Sequence, residues 1–511
     1  MGIALAVILC LGAGFALVSI GWCRGLPSSS DLVLRGSLAV GFGLGIFSCV
    51  FFFLRLLGIG HFIAVDGAVL GVLLIVYFIS RQCGSVRPLG PQRGPLAEAG
   101  GTATAVPFSS VPSPSMVKDV DGTSESVRFS NTSGYDTNWR RFQRLLTVAF
   151  LMALCVALYA AIMHALAYPE GDGWDSFAIW NLRARFLFCG GNEHWRDGFT
   201  QLLPWSHPDY PLLLPASIAH FWIFLGRDAA AVPAVIGFAF TFSTVGMLYA
   251  ALAILRGRTR AKLAALMLLA TPAFITLGTS QYVDVPLGFF LLGAVVLLAL
   301  QRERGSGLRG LAILAGISAG FAAWTKNEGL LFAEALILVS VLDVVRRKYT
   351  TASRRELAWL LAGSLPLLLL VLSYKHWITG PGDLFSSPAV MLERLEQLTR
   401  YGIVAKWFAK DLLRFGGWFL VPGSVLLVAL YFLKRRNTVG VQKFAHSRSI
   451  VALLITLAGY FAIYLITPRD LYWHLRFSLD RLFLQLWPSA IFFTFLTMTE
   501  PEMQDFAKVS K

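Results

Sequence analysis

Charge is scarce in this sequence. Only 14% of its 511 residues are Asp, Glu, Lys or Arg, against roughly a quarter in an ordinary soluble domain. That scarcity excludes a disordered polyelectrolyte and a soluble globular enzyme. Cysteine is scarce too: the six residues form no CxxC pair and no disulfide framework. There is no Walker P-loop and no Gly-rich turn of the dinucleotide-binding kind, so nucleotide machinery is missing.

What is abundant is apolar. Hydrophobic residues make up 56% of the chain, with 39 Phe and 14 Trp, and mean hydropathy is +0.65. The sequence is that of an all-α polytopic membrane protein. Its net charge of +15 does not point to nucleic acid. The Lys and Arg residues sit in short clusters between apolar runs, as cytoplasmic loops require. The first apolar stretch has no basic region before it and reads as a retained membrane helix, not a cleaved signal.

Bilayer crossings need roughly 20 apolar residues each. Three such runs come first, at Ile3–Cys23, Leu32–Leu57 and Phe62–Ser80. Residues 81–143 then turn rich in Ser, Gly and Pro and read as a flexible cytoplasmic linker. Ten further runs follow: Leu145–Tyr168, Ala229–Leu255, Lys262–Gly278, Val285–Leu300, Leu311–Trp324, Leu330–Val345, Leu357–Tyr374, Leu412–Leu433, Ile450–Ile466 and Leu482–Thr499. About 13 crossings result, with the N-terminus outside and the tail, residues 500–511, in the cytoplasm.

Leu212–Leu225 is apolar but short. If it does not cross, the basic clusters at Arg140-Arg141, Arg256–Lys262, Arg302–Arg309, Arg346–Arg355 and Lys434–Arg448 all share one side. The positive-inside rule therefore predicts a half-embedded helix there. Two further stretches, Trp174–Phe188 and Met391–Lys410, have the spacing of interfacial amphipathic helices.

With this orientation the outer loops collect the unusual polar residues. They are Asp172 and Asp175; His207 and Asp209; Tyr282 and Asp284; Lys326 and Glu328; His474, Arg476 and Arg481. Ionisable groups at membrane depth are costly and commonly mark a pathway or a site. Three of these placements also have a plain structural alternative. Asp175 suits a helix N-cap, Asp284 a helix start before Pro286, and Lys326 a local pair with Glu328. An enzyme on this face cannot draw on cytoplasmic nucleotide sugars, so a lipid phosphate fits as the activated donor. Arg and Lys at the interface can hold that phosphate.

The sequence resembles the GT-C superfamily of polyprenyl-phosphate-dependent glycosyltransferases, specifically bacterial relatives of the protein O-mannosyltransferases and aminoarabinose transferases. The resemblance rests on Gly173-Trp-Asp175, His207-Pro-Asp-Tyr-Pro211, Tyr282-Val-Asp284-Val-Pro286, Thr325-Lys-Asn-Glu-Gly329 and Ser478-Leu-Asp-Arg481. It covers about residues 144–499 and leaves the N-terminal unit, residues 1–80, outside. The family's acidic pair in the first loop is Asp-Glu; here it is Asp175-Ser176, with Asp172 and Asp284 as candidates for the second carboxylate. The His207 motif likewise departs from the usual His-Pro-Pro.

The resemblance implies an inverting transferase that moves a sugar from a polyprenyl-phosphate donor to a glycan, lipid or protein acceptor, in a bacterial inner membrane with the site facing out. Asp175 would be the general base, assisted by Asp284. Arg481, with Arg476 or Lys326, would neutralise the departing phosphate. Trp174, Trp180 and Tyr282, with His207, Asp209, Glu328 and His474, would line the substrate path. No cofactor is required, and Asp172, Asp175 and His207 are chemically suited to a divalent cation. A lipid or sugar transporter and a polysaccharide ligase or polymerase of another fold stand as alternatives. The transporter would spread its polar groups across both membrane halves.

Overall fold

The computed structural model describes residues 2–22, 28–82, 132–200, 202–304, 309–379, 382, 387–417, 423 and 447–498. The chain is all-helical, and among the described residues there is no strand. An N-terminal unit of three helices, α1 (Gly2–Gly21), α2 (Ser29–Leu56) and α3 (Phe62–Gln82), leads in. Most of the expected linker lies outside the described residues. Its end does not, because α4 begins at Thr132 and runs to Ala167.

A first loop then carries helical turns at Ser176–Asn181 and α5 (Leu182–Cys189), followed by α6 (Leu213–Leu225) and α7 (Ala231–Arg256). The expected crossing Lys262–Gly278 is a bent pair, α8 (Arg258–Leu269) and α9 (Pro272–Thr279), that meet at 66°. Pro272 cannot continue α8, because it lacks the N–H that the next helical bond needs. The bundle continues with α10 (Asp284–Arg304), α11 (Arg309–Thr325), α12 (Asn327–Arg346) and α13 (Thr351–Trp377). After α14 (Pro388–Glu396) and α15 (Leu398–Arg414) come α16 (Ser447–Ile466) and α17 (Leu471–Thr497).

Among the described residues, eight helices are long and apolar enough to cross a membrane, or nine if the bent pair is one span. Three more of the expected crossings are present as α11, α12 and α17, which are shorter or more polar. The expected crossing Leu412–Leu433 lies largely outside the described residues, as does the tail after Met498.

The span at the centre is α10, which is 94% buried within the protein and packs on α7, α11 and α17. The peripheral α3 and α4 keep most of their apolar side chains facing outward, with 11% and 17% of their spans buried. Where helices touch most closely, glycine permits it. A Cβ on Gly316 of α11 would run into the backbone of Leu360 on α13, and one on Gly363 into Ile313. Small residues of this kind let membrane helices pack backbone to backbone.

Among the described residues, members of the basic clusters gather at one end. Gln143 of α4 donates to Thr259 at 2.7 Å, and Lys262 reaches Thr147 at 2.7 Å, so the starts of α4 and α8 lie together. Arg256 pairs with Glu303 at 2.8 Å, and Arg448 with Glu356 at 2.9 Å. Placing the Arg140-Arg141 region with the others is the arrangement expected if α6 does not cross. At 13 residues, α6 spans about 20 Å, short of the roughly 30 Å of a hydrocarbon core.

The two expected interfacial helices fare differently. In α15 only Val404 is buried, as an interfacial helix requires. The Trp174–Phe188 stretch is instead embedded: Trp180, Arg183, Ala184 and Leu187 are fully buried. Neighbouring loops hold two of its polar side chains, Asn181 donating to Gln281 Oε1 at 2.7 Å and Arg183 to Pro208 O at 3.0 Å, which periodicity cannot reveal.

Candidate active site

At the far end of α10, about 30 Å from the basic cluster by helix rise, five charged side chains alternate in sign. Asp284 opens α10 and is fully buried. Its Oδ1 accepts from Lys326 Nζ at 3.1 Å and from Gln485 Nε2 at 2.6 Å, and its Oδ2 from Arg481 Nε at 2.9 Å. A second nitrogen of Arg481 reaches Asp175 Oδ2 at 2.7 Å. Lys326 also pairs with Glu328 at 2.9 Å. The order is therefore Asp175, Arg481, Asp284, Lys326, Glu328.

Four of the five stand at helix termini, and Arg481 lies within α17. Lys326 is the hinge between α11 and α12, in extended conformation. Arg481 and Gln485 stand one turn apart on α17, so both face α10. Tyr460 of α16 donates to Gln485 Oε1 at 2.6 Å and fixes that amide. The guanidinium of Arg481 lies over the Tyr282 ring, 4.6 Å from its centre.

Asp175 stands before a six-residue π-helical stretch, Ser176–Asn181, and makes no capping bond. The N-cap explanation for it thus fails, and its carboxylate is turned to Arg481 instead. Such π-turns recur at functional sites. Gly173 has φ +105 and sits where an added Cβ would collide with the Tyr282 hydroxyl. Only glycine fits that turn against Tyr282.

Electrostatics hold the cluster charged. Burial alone would favour a neutral Lys326 amine, but Asp284 and Glu328 more than offset it and keep the ammonium well above the ordinary lysine range. Burial, with Asp175 behind it, pushes the Tyr282 phenol up to about 12. Tyr282 is therefore a neutral hydroxyl at any working pH.

The remaining expected residues divide. Asp209 accepts from Asn327 at 2.7 Å, and Lys375 donates to Asn327 at 2.7 Å and to the Asp209 carbonyl at 3.0 Å. His207, at φ 50, stacks on Tyr210 and meets Arg469 at 3.2 Å. His474 bonds Thr467 at 2.8 Å. Trp174 is exposed and packs against Trp205.

Three placements need correction. Trp180 is fully buried and stacked on Tyr210, so it supports the site from behind and lines no open path. Arg476 is exposed against Phe477 and, five residues from Arg481, points to another side of α17. The suggested metal ligands are not assembled. Asp172 pairs with His164, Asp175 with Arg481, and His207 with Arg469. Among the described residues no group of three or more His, Cys, Asp or Glu could hold a metal ion.

Sequence reasoning missed Gln485, Tyr460, Lys375, Arg469 and Arg183. Gln485 was within reach, since it follows Arg481 by one helical turn. Arg183 is fully buried and donates to Pro208 O at 3.0 Å and Tyr374 Oη at 3.1 Å. It thereby holds the turn that carries His207 and Asp209.

Comparison with known proteins bears on this cluster. Residues 209–376 match the family model of dolichyl-phosphate-mannose-protein mannosyltransferases. The match supports a glycosyltransferase of the GT-C type. It spans α6 to α13 and so includes Asp209, Asp284, Lys326 and Glu328, while Asp175 and Arg481 lie on either side of it. No curated protein and no solved structure matches the chain.

Proposed function

We propose that this membrane glycosyltransferase moves a sugar, with inversion, from a polyprenyl-phosphate donor to an acceptor hydroxyl on the membrane face away from the basic clusters. The observation that carries the reading is Arg481, shared between the buried Asp284 and the more accessible Asp175.

A carboxylate bonded to a guanidinium has an oxygen engaged by that partner and turned away from any other proton donor. A donor phosphate entering beside Tyr282 competes for the Arg481 nitrogen that Asp175 now holds. Asp175 is released as the phosphate binds, and its carboxylate oxygens are freed to face the acceptor hydroxyl. It then takes the proton of the acceptor hydroxyl as the new oxygen–anomeric carbon bond forms. The anomeric carbon–oxygen bond breaks, and its electron pair leaves with the polyprenyl phosphate. Arg481 and Lys326 stabilise the charge that develops there.

Asp284 has another task in this reading. It is buried under three donors and positions the two cations without touching substrate. The positive-inside rule supplies the side, since the cluster lies opposite the basic loops. The matched family's name suggests a mannosyl-type donor.

The test uses purified protein in vesicles with polyprenyl-phosphate sugars and follows consumption of the donor. Wild-type protein consumes the donor, and Asp175→Asn does not. No consumption of any such donor by wild type would sink the reading.

A further inference from the structure

Helix α15 presents three different faces. One, which includes Arg400, Val404, Phe408 and Asp411, is turned to the protein and packs on α16 and α17. A second, with Leu398, Tyr401, Ala405, Ala409 and Leu412, is apolar and exposed. The third is a row of cations one turn apart, Lys406, Lys410 and Arg414, also exposed. Among the described residues no ion pair engages these three, and Lys410 lies over the Trp407 ring at 4.5 Å.

Contacts with the spans fix which way each face points. Arg400 donates to the Tyr464 carbonyl at 2.9 Å, and the Phe408 ring meets Phe461 of α16 at 5.2 Å and Phe483 of α17 at 5.4 Å. Helix α15 therefore runs across the site-end termini of α16 and α17, Ile466 and Leu471, and not along the spans. Asp411, three residues from Arg414, is close enough to Asp480 to feel its charge. On either side of it in sequence, Phe408 and Phe415 reach further from that end, to Phe483 and to Trp487 at 5.0 Å. A roll of the helix, not a tilt, produces that alternation. The edge beside the apolar face is thus the deeper one, and the cation row points out of the membrane.

An apolar face below and a cation row above seat a helix in the boundary between acyl chains and headgroups. Three cations without an acidic partner in the protein also select the headgroup. A zwitterionic lipid compensates its own phosphate, whereas an anionic lipid leaves net negative charge for Lys and Arg to meet. We propose that α15 is a docking surface for anionic phospholipid in the leaflet at the site end, with Lys406, Lys410 and Arg414 on the headgroup phosphates. This goes beyond the glycosyltransfer reading and does not depend on it.

The test places the full chain in phosphatidylcholine vesicles with a trace of one photoreactive lipid, phosphatidylglycerol, phosphatidylcholine or polyprenyl phosphate, and maps the labelled peptides. Phosphatidylglycerol should label α15 about fivefold or more above phosphatidylcholine, while the outward-facing α4 takes both alike. Combining Lys406→Gln, Lys410→Gln and Arg414→Gln should remove the excess on α15, and combining Lys406→Arg with Lys410→Arg should keep it. In wild type the excess should also fade as ionic strength rises from about 0.05 to about 0.5 M, which tests the charge without any variant. Equal labelling of α15 by phosphatidylglycerol and phosphatidylcholine means bulk lipid only and overturns the proposal. An excess that survives the three Gln substitutions or high salt overturns it too. So does polyprenyl phosphate labelling of α15 that unlabelled phosphatidylglycerol fails to displace, which would make this a donor surface.

Discussion

The two ends of α10 carry the same chemistry in different surroundings. At its start, Asp284 is fully buried and holds Lys326, Gln485 and Arg481. At its other end, Glu303 pairs with Arg256 at 2.8 Å while its side chain stays 30% exposed. Water competes for the second pair and not for the first. Exposed pairs contribute roughly 0–1 kcal/mol, whereas removing one partner of a buried pair strands a charge. The basic end thus keeps its charges in reach of water, while the other end concentrates charge where water does not compete for it.

The largest effect should come from Asp284→Ala. It leaves Lys326 and Arg481 without their shared counter-charge and should cost about 3–5 kcal/mol. Thermal unfolding in a single detergent checks this. A loss under about 1 kcal/mol would erase the contrast between the two ends. Asp175→Asn is expected to spare folding and lower transfer by about a hundredfold or more. Activity within a few-fold of wild type would remove Asp175 from the mechanism.

Arg481 sharpens the comparison within a single side chain. A planar guanidinium can bond two carboxylates, or a carboxylate and a phosphate, at once, while a lysine is a point charge. Arg481→Ala should weaken donor use strongly, and Arg481→Lys should restore only part of it. Asp480→Ala should be mild, because Arg481 turns to Asp175 and Asp284. Donor kinetics on the three variants decide it, and an Asp480→Ala defect equal to that of Arg481→Ala would refute the assignment.

At the basic end, Glu303→Gln should shift unfolding by about 1 kcal/mol or less. A shift as large as that of Asp284→Ala would show that exposure is not what separates the ends.

The smallest effect concerns pH. Partial burial, then the nearby Asp480, pushes the Asp411 carboxyl on α15 up to about 6. Its folded-state value lies above its unfolded one, so its charge opposes folding above pH 6. That opposition fades as pH falls from 6 toward the ordinary carboxylate range. Asp411→Asn should flatten this part of the stability–pH profile. An unchanged slope would rule Asp411 out as its source.

How much of this was legible without coordinates depends on what each residue answers to. Apolar runs of bilayer length marked the helices, because a span must satisfy its own backbone. Asp175, Asp284, Lys326 and Arg481 stood out because charge at membrane depth is rare. Arg183 and Gln485 did not, since each sits in a stretch whose spacing suits an ordinary helix. Trp180 was misplaced for the same reason: an aromatic at helical spacing looks alike whether it lines a path or fills a core.

The sequence by itself determined an all-helical membrane chain, the gathering of its basic loops, and the residue types from which a site could be built. These follow from solvation, which acts on each segment separately. The tertiary structure alone decided that Asp284 faces two cations, that Arg481 bridges it to Asp175, and that Arg476 and Trp180 stand apart. Such facts depend on how helices rotate and cross against one another. That is set by close packing at positions such as Gly316 and Gly363, where long-range contacts leave no trace in local pattern.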